Sequence, residues 1–353
     1  NVQYGDESCA AYFDTANPLL GELTQAGNAY FYPLLIGSPA LDRGTVANCT
    51  AFDIRGVARS AGNCDSGSYE GSIALTGDLT VTTTNPAANP IDGLCSLVEA
   101  IDAANTGNAS GSTPGECVPT GGADTITLGT GLTYTLSVVN NTHLNGSDNG
   151  LPVIISPITI DGNGSTITRS SEANFRFFHV SADGSLTLNN VTLSNGFSDP
   201  GGAILSDGSL TLNSSSIADN FGSSGGGLFL NGATIINNSS VTGNQALSPD
   251  GGGIFVANNA TLTMTNSTVV GNTASGVGGG IVTGSGSTVV VNIINSTIAN
   301  NTALDGAGIG VYGGSVTIYN TIIANNSGGN CSGNVGNGSG FTSSIQWPGF
   351  TCN

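Results

Sequence analysis

The sequence has 353 residues, of which 55 are glycine and only 8% are charged, and its 23 acidic and 5 basic residues give a formal net charge of −18. All five basic residues are arginines. Phosphates and anionic lipid surfaces are bound mainly through lysine and arginine, and no apolar run approaches the ~20 residues of a membrane-spanning helix. We therefore expect no nucleic-acid partner and no membrane insertion.

Residues 1–75 show no repeat, and their tyrosine, phenylalanine and proline residues contrast with the aromatic-poor remainder. We predict a separate irregular module here, in which Asp53 and Arg55 form a structural ion pair. The sequence does not begin with methionine or a signal-like segment, as expected of a mature or excised chain.

Residues 76–122 are predicted to contain a strand near Leu79, a linker and a helix at about 96–105. Ser96 followed three residues later by Glu99 is a capping box. Apolar residues then recur at helical spacing, at Leu97, Ala100, Ile101 and Ala104. The first coil of a β-solenoid would otherwise expose its apolar core and unpaired strand edges, so we expect the helix to cover that end.

Residues 123–330 alternate short apolar runs with corners rich in glycine and asparagine. From residue 201 onward, the sequence contains five copies of one repeat. Each copy begins with glycines followed by a branched apolar residue, which we use as the marker of that copy. The markers are 24, 26, 27 and 28 residues apart, a period typical of a solenoid. They are Ile204, Leu228, Ile254, Ile281 and Ile309. Apolar residues alternate with polar ones inside each copy, which predicts strands. The predicted fold class is all-β, a parallel β-helix.

Seven cysteines in a chain without lysine indicate an oxidising, extracellular location. Pairing neighbours along the sequence predicts three disulfides, Cys49–Cys64, Cys95–Cys117 and Cys331–Cys352, the last within a C-terminal disulfide loop at 331–353. No pair has the spacing of a zinc site, and we expect no metal and no cofactor. Cys9 is left over, as a free thiol or as a candidate for an intersubunit bond.

An enzymatic site is not predicted. Polysaccharide-cleaving sites need paired carboxylates, or acids with a basic partner, whereas the acids of residues 201–330 are isolated and no arginine, lysine or histidine accompanies them. These acids are Asp207, Asp219, Asp250 and Asp305. Upstream, we expect Asp161 to form a turn and His179 to be a structural residue. His143, in a polar loop, has no assignable role.

Two binding alternatives stay open. Threonines at alternate positions (Thr261, Thr263, Thr265 and Thr317) suggest a ladder that orders water or ice, but Ile235, Ile236 and Val289–Val291 are predicted to break it. Carbohydrate binding would need exposed aromatic platforms, which the repeats hardly offer. Glycans are also expected as attachments, because Asn-X-Ser/Thr recurs throughout. The candidate glycosylation sites are Asn213, Asn238, Asn266, Asn295 and Asn325.

Several segments resemble a known family. CSLVEAIDAAN at 95–105, ADTITL at 123–128 and ITIDGNGSTITR at 158–169 resemble secreted bacterial right-handed parallel β-helix proteins with a CSLREA-type N-terminal motif. GSPALDRG at 37–44 and NCTAFDIRGVAR at 48–59 resemble the segment that closes the far end of the solenoid in that family. The resemblance implies a right-handed β-helix. The order is permuted, because the closing segment here precedes the helix.

This order leads to a hypothesis about function. We expect residues 1–75 of one copy to dock on the C-terminal coil of the preceding copy, which gives a head-to-tail fibre of repeated subunits or tandem copies in one polypeptide. The alternatives are a chain cut from a longer protein, or a module that folds back on its own solenoid. A monomeric cell-surface adhesin or carbohydrate-binding β-helix is the second functional hypothesis.

Overall fold

The computed structural model describes residues 20, 23–26, 29–35, 38–44, 46–59, 64–70, 72–73, 79–89, 91–111, 116–119, 123–142, 146–247, 250–333, 335–337 and 345–346. It divides into two compact units. The small unit comprises residues 1–77 with 119–121, and the large unit comprises residues 78–118 with 122–353.

The small unit contains little regular structure. Its strands form one antiparallel pair, Thr24–Ala26 with Ala29–Phe31, and one parallel pair, Leu34–Leu35 with Ser72–Ile73, and a 3₁₀ turn covers Val46–Asn48. Its core consists of Phe31, Leu34, Ala40 and Tyr69. A disulfide joins Cys49 to Cys64, as predicted.

The large unit is a parallel β-helix, which confirms the predicted fold class. Three long ladders of parallel strands run along its axis. Ladder 1 contains Leu79–Thr80, Asp124–Thr127, the first halves of Pro157–Arg169 and Ser185–Ser194, Ser209–Asn213, Ala233–Asn237, Thr261–Thr265, Val290–Ile294, Ser315–Tyr319 and Val335–Asn337. Ladder 2 contains Thr133–Leu136, the second halves of the same two long strands, Ser216–Ala218, Ser240–Thr242, Thr268–Val270, Thr297–Ala299, Ile322–Ala324 and Ile345–Gln346. Ladder 3 contains Phe178–Val180, Ile204–Ser206, Leu228–Leu230, Ile254–Val256, Ile281–Thr283, Ile309–Val311 and Cys331–Ser332.

The large unit also contains two smaller β elements. A short ladder holds Phe197–Ser198, Phe221–Gly222, Gln245–Ala246 and Thr273–Ala274. Asn141–Thr142 and Asp148–Asn149 form an antiparallel hairpin.

The five marker residues stack on one another in ladder 3, so the period read from the sequence is the coil repeat. Phe178 precedes them in the same column and Cys331 follows them. Strands also continue ladders 1 and 2 beyond residue 330, and Leu79–Thr80 pairs with the first coil. Ladder strands therefore occur on both sides of residues 123–330.

The glycines that open each copy are required by close packing between coils. A Cβ on Gly226 would collide with the carbonyl oxygen of Gly252, and a Cβ on Gly252 would collide with that of Gly279. Side chains cannot be accommodated where successive backbones approach so closely.

The interior holds branched aliphatic side chains and one continuous column of asparagines. In this asparagine ladder, each side-chain Nδ2 donates to the Oδ1 of the next member at 2.9–3.0 Å, and all members are buried. The members are Asn220, Asn244, Asn272, Asn301, Asn326 and Asn330. Buried amides need such partners, because an unsatisfied one costs about 1–3 kcal/mol.

The predicted helix spans Leu97–Thr106 and has the predicted capping box between Ser96 and Glu99. It ends at Gly107, which adopts a left-handed conformation with φ 67°. Asn105 attaches the helix to the coils, since its Nδ2 donates to the carbonyl of Val153 at 2.7 Å. A disulfide joins Cys95, at the start of the helix, to Cys117, as predicted.

Within the described part of the chain, no helix is long and apolar enough to cross a lipid bilayer.

Candidate functional site

Two of the four acids of residues 201–330, Asp250 and Asp305, lie in one column, because each bridges to Val277. Tyr312 donates a hydrogen bond to Asp250 at 2.9 Å. Burial, this carboxylate and then the charge of Asp305 raise the pKa of Tyr312 to about 12. Asp219 is exposed at the corner of another coil. Val277 thus stands between the two aligned carboxylates.

His179 and Asp207 contact each other across two coils of the large unit. His179 Nε2 lies 2.9 Å from one carboxylate oxygen of Asp207, and Asn231 donates to the other at 2.6 Å. His179 is buried and lies on ladder 3 beside Leu205. Both oxygens of Asp207 are therefore engaged, and the pair links three successive coils in a structural role.

Arg176 is a buried charge that no local sequence pattern predicts. Its guanidinium donates to the oxygens of Asn149, Ser147 and Ser198 at 2.7–2.9 Å, and to two backbone carbonyls. Burial lowers its pKa to about 10, while the carboxylates of Asp199, Asp207 and Asp148 oppose that shift. Because neutral oxygens satisfy the guanidinium, Arg176 joins the hairpin to the next coil rather than binding a ligand.

In the small unit, the predicted pair of Asp53 and Arg55 is present at 2.6 Å. A second pair joins Arg59 to Glu70 at 2.8 Å. The guanidinium of Arg55 lies 3.7 Å from the ring centre of Tyr69, a cation–π contact. These contacts fix residues 53–59 and 64–70 on the unit's core.

A cavity of about 310 Å³ also lies in the small unit. Phe31 and Tyr69 line it, and Tyr30 and Tyr32 extend exposed rings beside it. Leu20 and Leu23 are exposed at its edge. These aromatic residues lie in the module without repeats, where no periodicity in the sequence indicates that they share a surface.

A polar groove of about 330 Å³ follows the corner between ladders 1 and 2. Its lining combines hydroxyl and amide side chains, and none of the lining residues is charged or aromatic. Thr192, Ser216, Ser240 and Thr268 are successive members of one ladder 2 column within it. This column gives the groove one neutral hydroxyl group per coil for hydrogen bonding.

No set of three or more histidine, cysteine, aspartate or glutamate side chains in the described residues could hold a metal ion.

The threonine ladder is more regular than the sequence predicted. Ile236, Val289 and Val291 are fully buried and face the core, so they do not interrupt an outer column. In the central outer column of ladder 1, only Ile235 and Asn292 stand between threonines. The order of that column is Thr125, Thr159, Thr187, Thr211, Ile235, Thr263, Asn292 and Thr317.

The five candidate glycosylation sites lie in two kinds of place. Asn238, Asn266, Asn295 and Asn325 are exposed corner residues with φ between 49° and 55°. Asn213 is instead half-buried in an outer amide row of ladder 1. Its Nδ2 donates to Asn189 at 2.9 Å, and its Oδ1 accepts from Asn237 at 3.1 Å. The corner asparagines are accessible to an attached sugar, whereas Asn213 is already hydrogen-bonded.

Cys331 is disulfide-bonded. Its predicted partner Cys352, the extra cysteine Cys9 and also His143 lie outside the described residues.

Comparison with known proteins found no matching family, no similar curated protein and no similar solved structure.

Proposed function

We propose that this chain is an extracellular structural protein that forms a fibre or stalk from repeated β-helical copies. One observation carries the proposal: the buried asparagine ladder continues without a break from Asn220 to Asn330. From Asn220 to Asn326 such a column links each coil to the next, and Asn330, four residues further along, ends it; the links resist bending of the solenoid. The two closed disulfides fit an oxidising location. The CSLREA-like segments support a place among secreted bacterial β-helix proteins.

The proposed subunit contact joins residues 1–75 of one copy to the last coil of another. Val335–Asn337 and Ile345–Gln346 pair on one side with the preceding coil. A strand edge can serve as a template for pairing with another chain, and the proposal places another copy at the opposite edge of these strands. On the small unit, Tyr30 and Tyr32 are 61% and 51% exposed beside the 310 Å³ cavity. We expect this apolar surface of the small unit to contact the last coil of the neighbouring copy.

Sedimentation velocity over a range of protein concentrations, with electron microscopy of the same samples, tests the fibre. The wild-type chain should form species that lengthen with concentration, and the double variant Tyr30→Ser, Tyr32→Ser should shorten them. Phe52→Ser is the matched control, because Phe52 is 60% exposed in the same unit but does not line the cavity. A wild-type chain that stays monomeric at every concentration would contradict the proposal.

The covalent form of this contact has a separate test. If Cys9 bonds two copies, a ladder of bands on a non-reducing gel should disappear in Cys9→Ser. A ladder that the substitution leaves unchanged would rule out that bond without affecting non-covalent assembly.

The second candidate function is binding of a neutral glycan in the groove between ladders 1 and 2. The observation in its favour is the uncharged hydroxyl and amide lining, which offers donors and acceptors to sugar hydroxyls. Thr268→Tyr should fill the groove and abolish binding on an array of neutral oligosaccharides. Thr242→Tyr lies on the same ladder, does not line the groove, and should leave binding unchanged.

A further inference from the structure

We propose that the outer face of ladder 1 binds ice through its column of threonines. Neither fibre formation nor glycan binding is needed for this function. The strands are in register, the threonine hydroxyls are free of hydrogen bonds within the described chain, and the column itself holds no charged residue.

Strand pairing aligns the threonines in successive coils. Thr125, Thr159, Thr187 and Thr211 are direct Cα partners across four consecutive strands, without a register shift at these positions. All four side chains point outward and are half-buried between their neighbours. The column is therefore a row of like groups, one per coil.

The hydroxyls of this row are available to water. None of the threonines in the column hydrogen-bonds to another group in the part of the chain that the structure describes, although threonines elsewhere, such as Thr168 and Thr283, do. Threonine is branched at Cβ and has few rotamers, and crowding along the column restricts it further. The hydroxyls are thus held in nearly fixed positions before any ligand arrives.

The spacing of the row suits tetrahedral water. Neighbouring strands lie about 4.8 Å apart. In a tetrahedral network with hydrogen bonds of about 2.75 Å, second-nearest oxygens lie about 4.5 Å apart. Each hydroxyl can therefore take the place of one lattice oxygen in an ice layer, with the threonine methyl group beside it excluding disordered water.

The columns beside the threonines favour ice over a charged or aromatic-binding ligand. On one side lie Ser185, Ser209 and Ala233, which are small and uncharged. On the other side Asn189 and Asn213 hold their amides in an outer row that also contains the carboxylate of Asp161, to which Asn189 donates at 2.6 Å. Sugar rings are usually bound against aromatic side chains, and in this row an aromatic ring stands only at Tyr319, beyond the four consecutive threonines. A surface of regularly spaced hydroxyls with one carboxylate at its edge remains.

Ile235 is the first interruption, and it is 45% exposed in the same column. Replacing it with threonine would join Thr211 to Thr263 and produce six consecutive threonines. Ile235→Thr is therefore expected to strengthen ice binding. Because threonine is a good strand residue, this variant should fold like the wild-type chain.

Thermal hysteresis and the shape of single ice crystals test the proposal with the full chain. Wild-type protein should show a freezing point below its melting point and faceted crystals. The double variant Thr187→Tyr, Thr211→Tyr should reduce hysteresis to less than half, and Ile235→Thr should increase it. Thr242→Tyr, an outward threonine of ladder 2, is the control and should change nothing.

Circular dichroism of each variant checks that the β-helix is retained. No hysteresis and no crystal shaping by the wild-type chain would overturn the proposal, as would hysteresis that neither the tyrosine pair nor Ile235→Thr alters. Binding to insoluble cellulose or chitin that the tyrosine pair abolishes, without ice shaping, would also overturn it and would assign the face to a crystalline polysaccharide.

Discussion

Asn244 and Asn272 are both fully buried, and Asn244 donates two hydrogen bonds to the Oδ1 of Asn272 at 2.9 Å, one from its side chain and one from its backbone. Asn272 in turn donates to Asn301 and to the carbonyl of Val241 at 3.0 Å. One side chain therefore satisfies groups from three coils.

Asn272→Ala should lower the free energy of unfolding by at least about 3 kcal/mol, because several buried donors and acceptors lose their partner at once. Urea unfolding followed by circular dichroism measures the effect. Asn266→Gly is the control, because Asn266 is an exposed corner residue with φ 50° that glycine adopts readily. Equal midpoints for the two variants would show that the ladder does not stabilise the coils.

Glu99→Ala should destabilise the helix by about 2 kcal/mol, because the carboxylate accepts from the N–H groups of Asn89 and Ser96 at 2.7 and 3.0 Å. Thermal unfolding measures the loss of stability, and hydrogen exchange in residues 97–106 shows whether the helix is the part affected. Asp102→Ala on the same helix is the control. Burial and then the charge of Glu99 raise the pKa of Asp102, so removing that carboxyl at neutral pH should not lower stability.

The small unit should loosen in acid. Burial alone would raise the pKa of Asp53, but hydrogen bonds from Arg55 and from the N–H groups of Val57, Arg55 and Glu70 outweigh it and lower the pKa from 3.8 to about 2. A carboxyl with a depressed pKa stabilises the fold above its unfolded pKa, and this contribution is lost as pH falls from 3.8 through about 2.

Hydrogen exchange in residues 46–59, corrected for the intrinsic pH dependence of exchange, measures this loss. In Asp53→Asn, the protection of these backbone amides from exchange should be lower at neutral pH. It should also be nearly independent of pH between 3.8 and about 2. Unchanged pH dependence in that variant would mean that Asp53 does not control the transition.

Removing the Cys95–Cys117 disulfide should lower the free energy of unfolding by about 3 kcal/mol, because this disulfide closes a loop with a sequence separation of 22. The double variant Cys95→Ser, Cys117→Ser should unfold at a lower urea concentration and should exchange faster in Leu97–Thr106. Cys49→Ser, Cys64→Ser is the matched pair, and it should leave exchange in that helix unchanged. Loss of helix protection in both would contradict a local bracing role.

Glycan attachment should distinguish the candidate asparagines. In a host that glycosylates Asn-X-Ser/Thr, we expect glycopeptides at Asn238, Asn266 and Asn295 but not at Asn213, whose amide already bonds Asn189 and Asn237. An intact mass of 34.9 kDa would show that no site is used. Occupancy at Asn213 alone would contradict the structural distinction.

Much of the fold could be predicted because its signals are local. The capping box of Ser96 and Glu99 and the marker residues of each coil depend on short-range sequence patterns, and the structure contains both. Arg176 could not be recognised in the same way, because its partners Asn149 and Ser198 lie 27 and 22 residues away on either side. No local pattern indicates that these oxygens converge on one guanidinium.

The sequence by itself determined the coil period, the branched aliphatic core and the nearly uncharged exterior, since each follows from composition and alternation. Only the tertiary structure decided which residues share an outer column. Coil lengths vary because corners absorb extra residues without moving the strands, so counting along the chain cannot give the register. Pairing places Ile235 outside and Ile236 inside, and a shift of one residue would reverse them. The threonine column at Thr187 and Thr211 became visible only through that pairing.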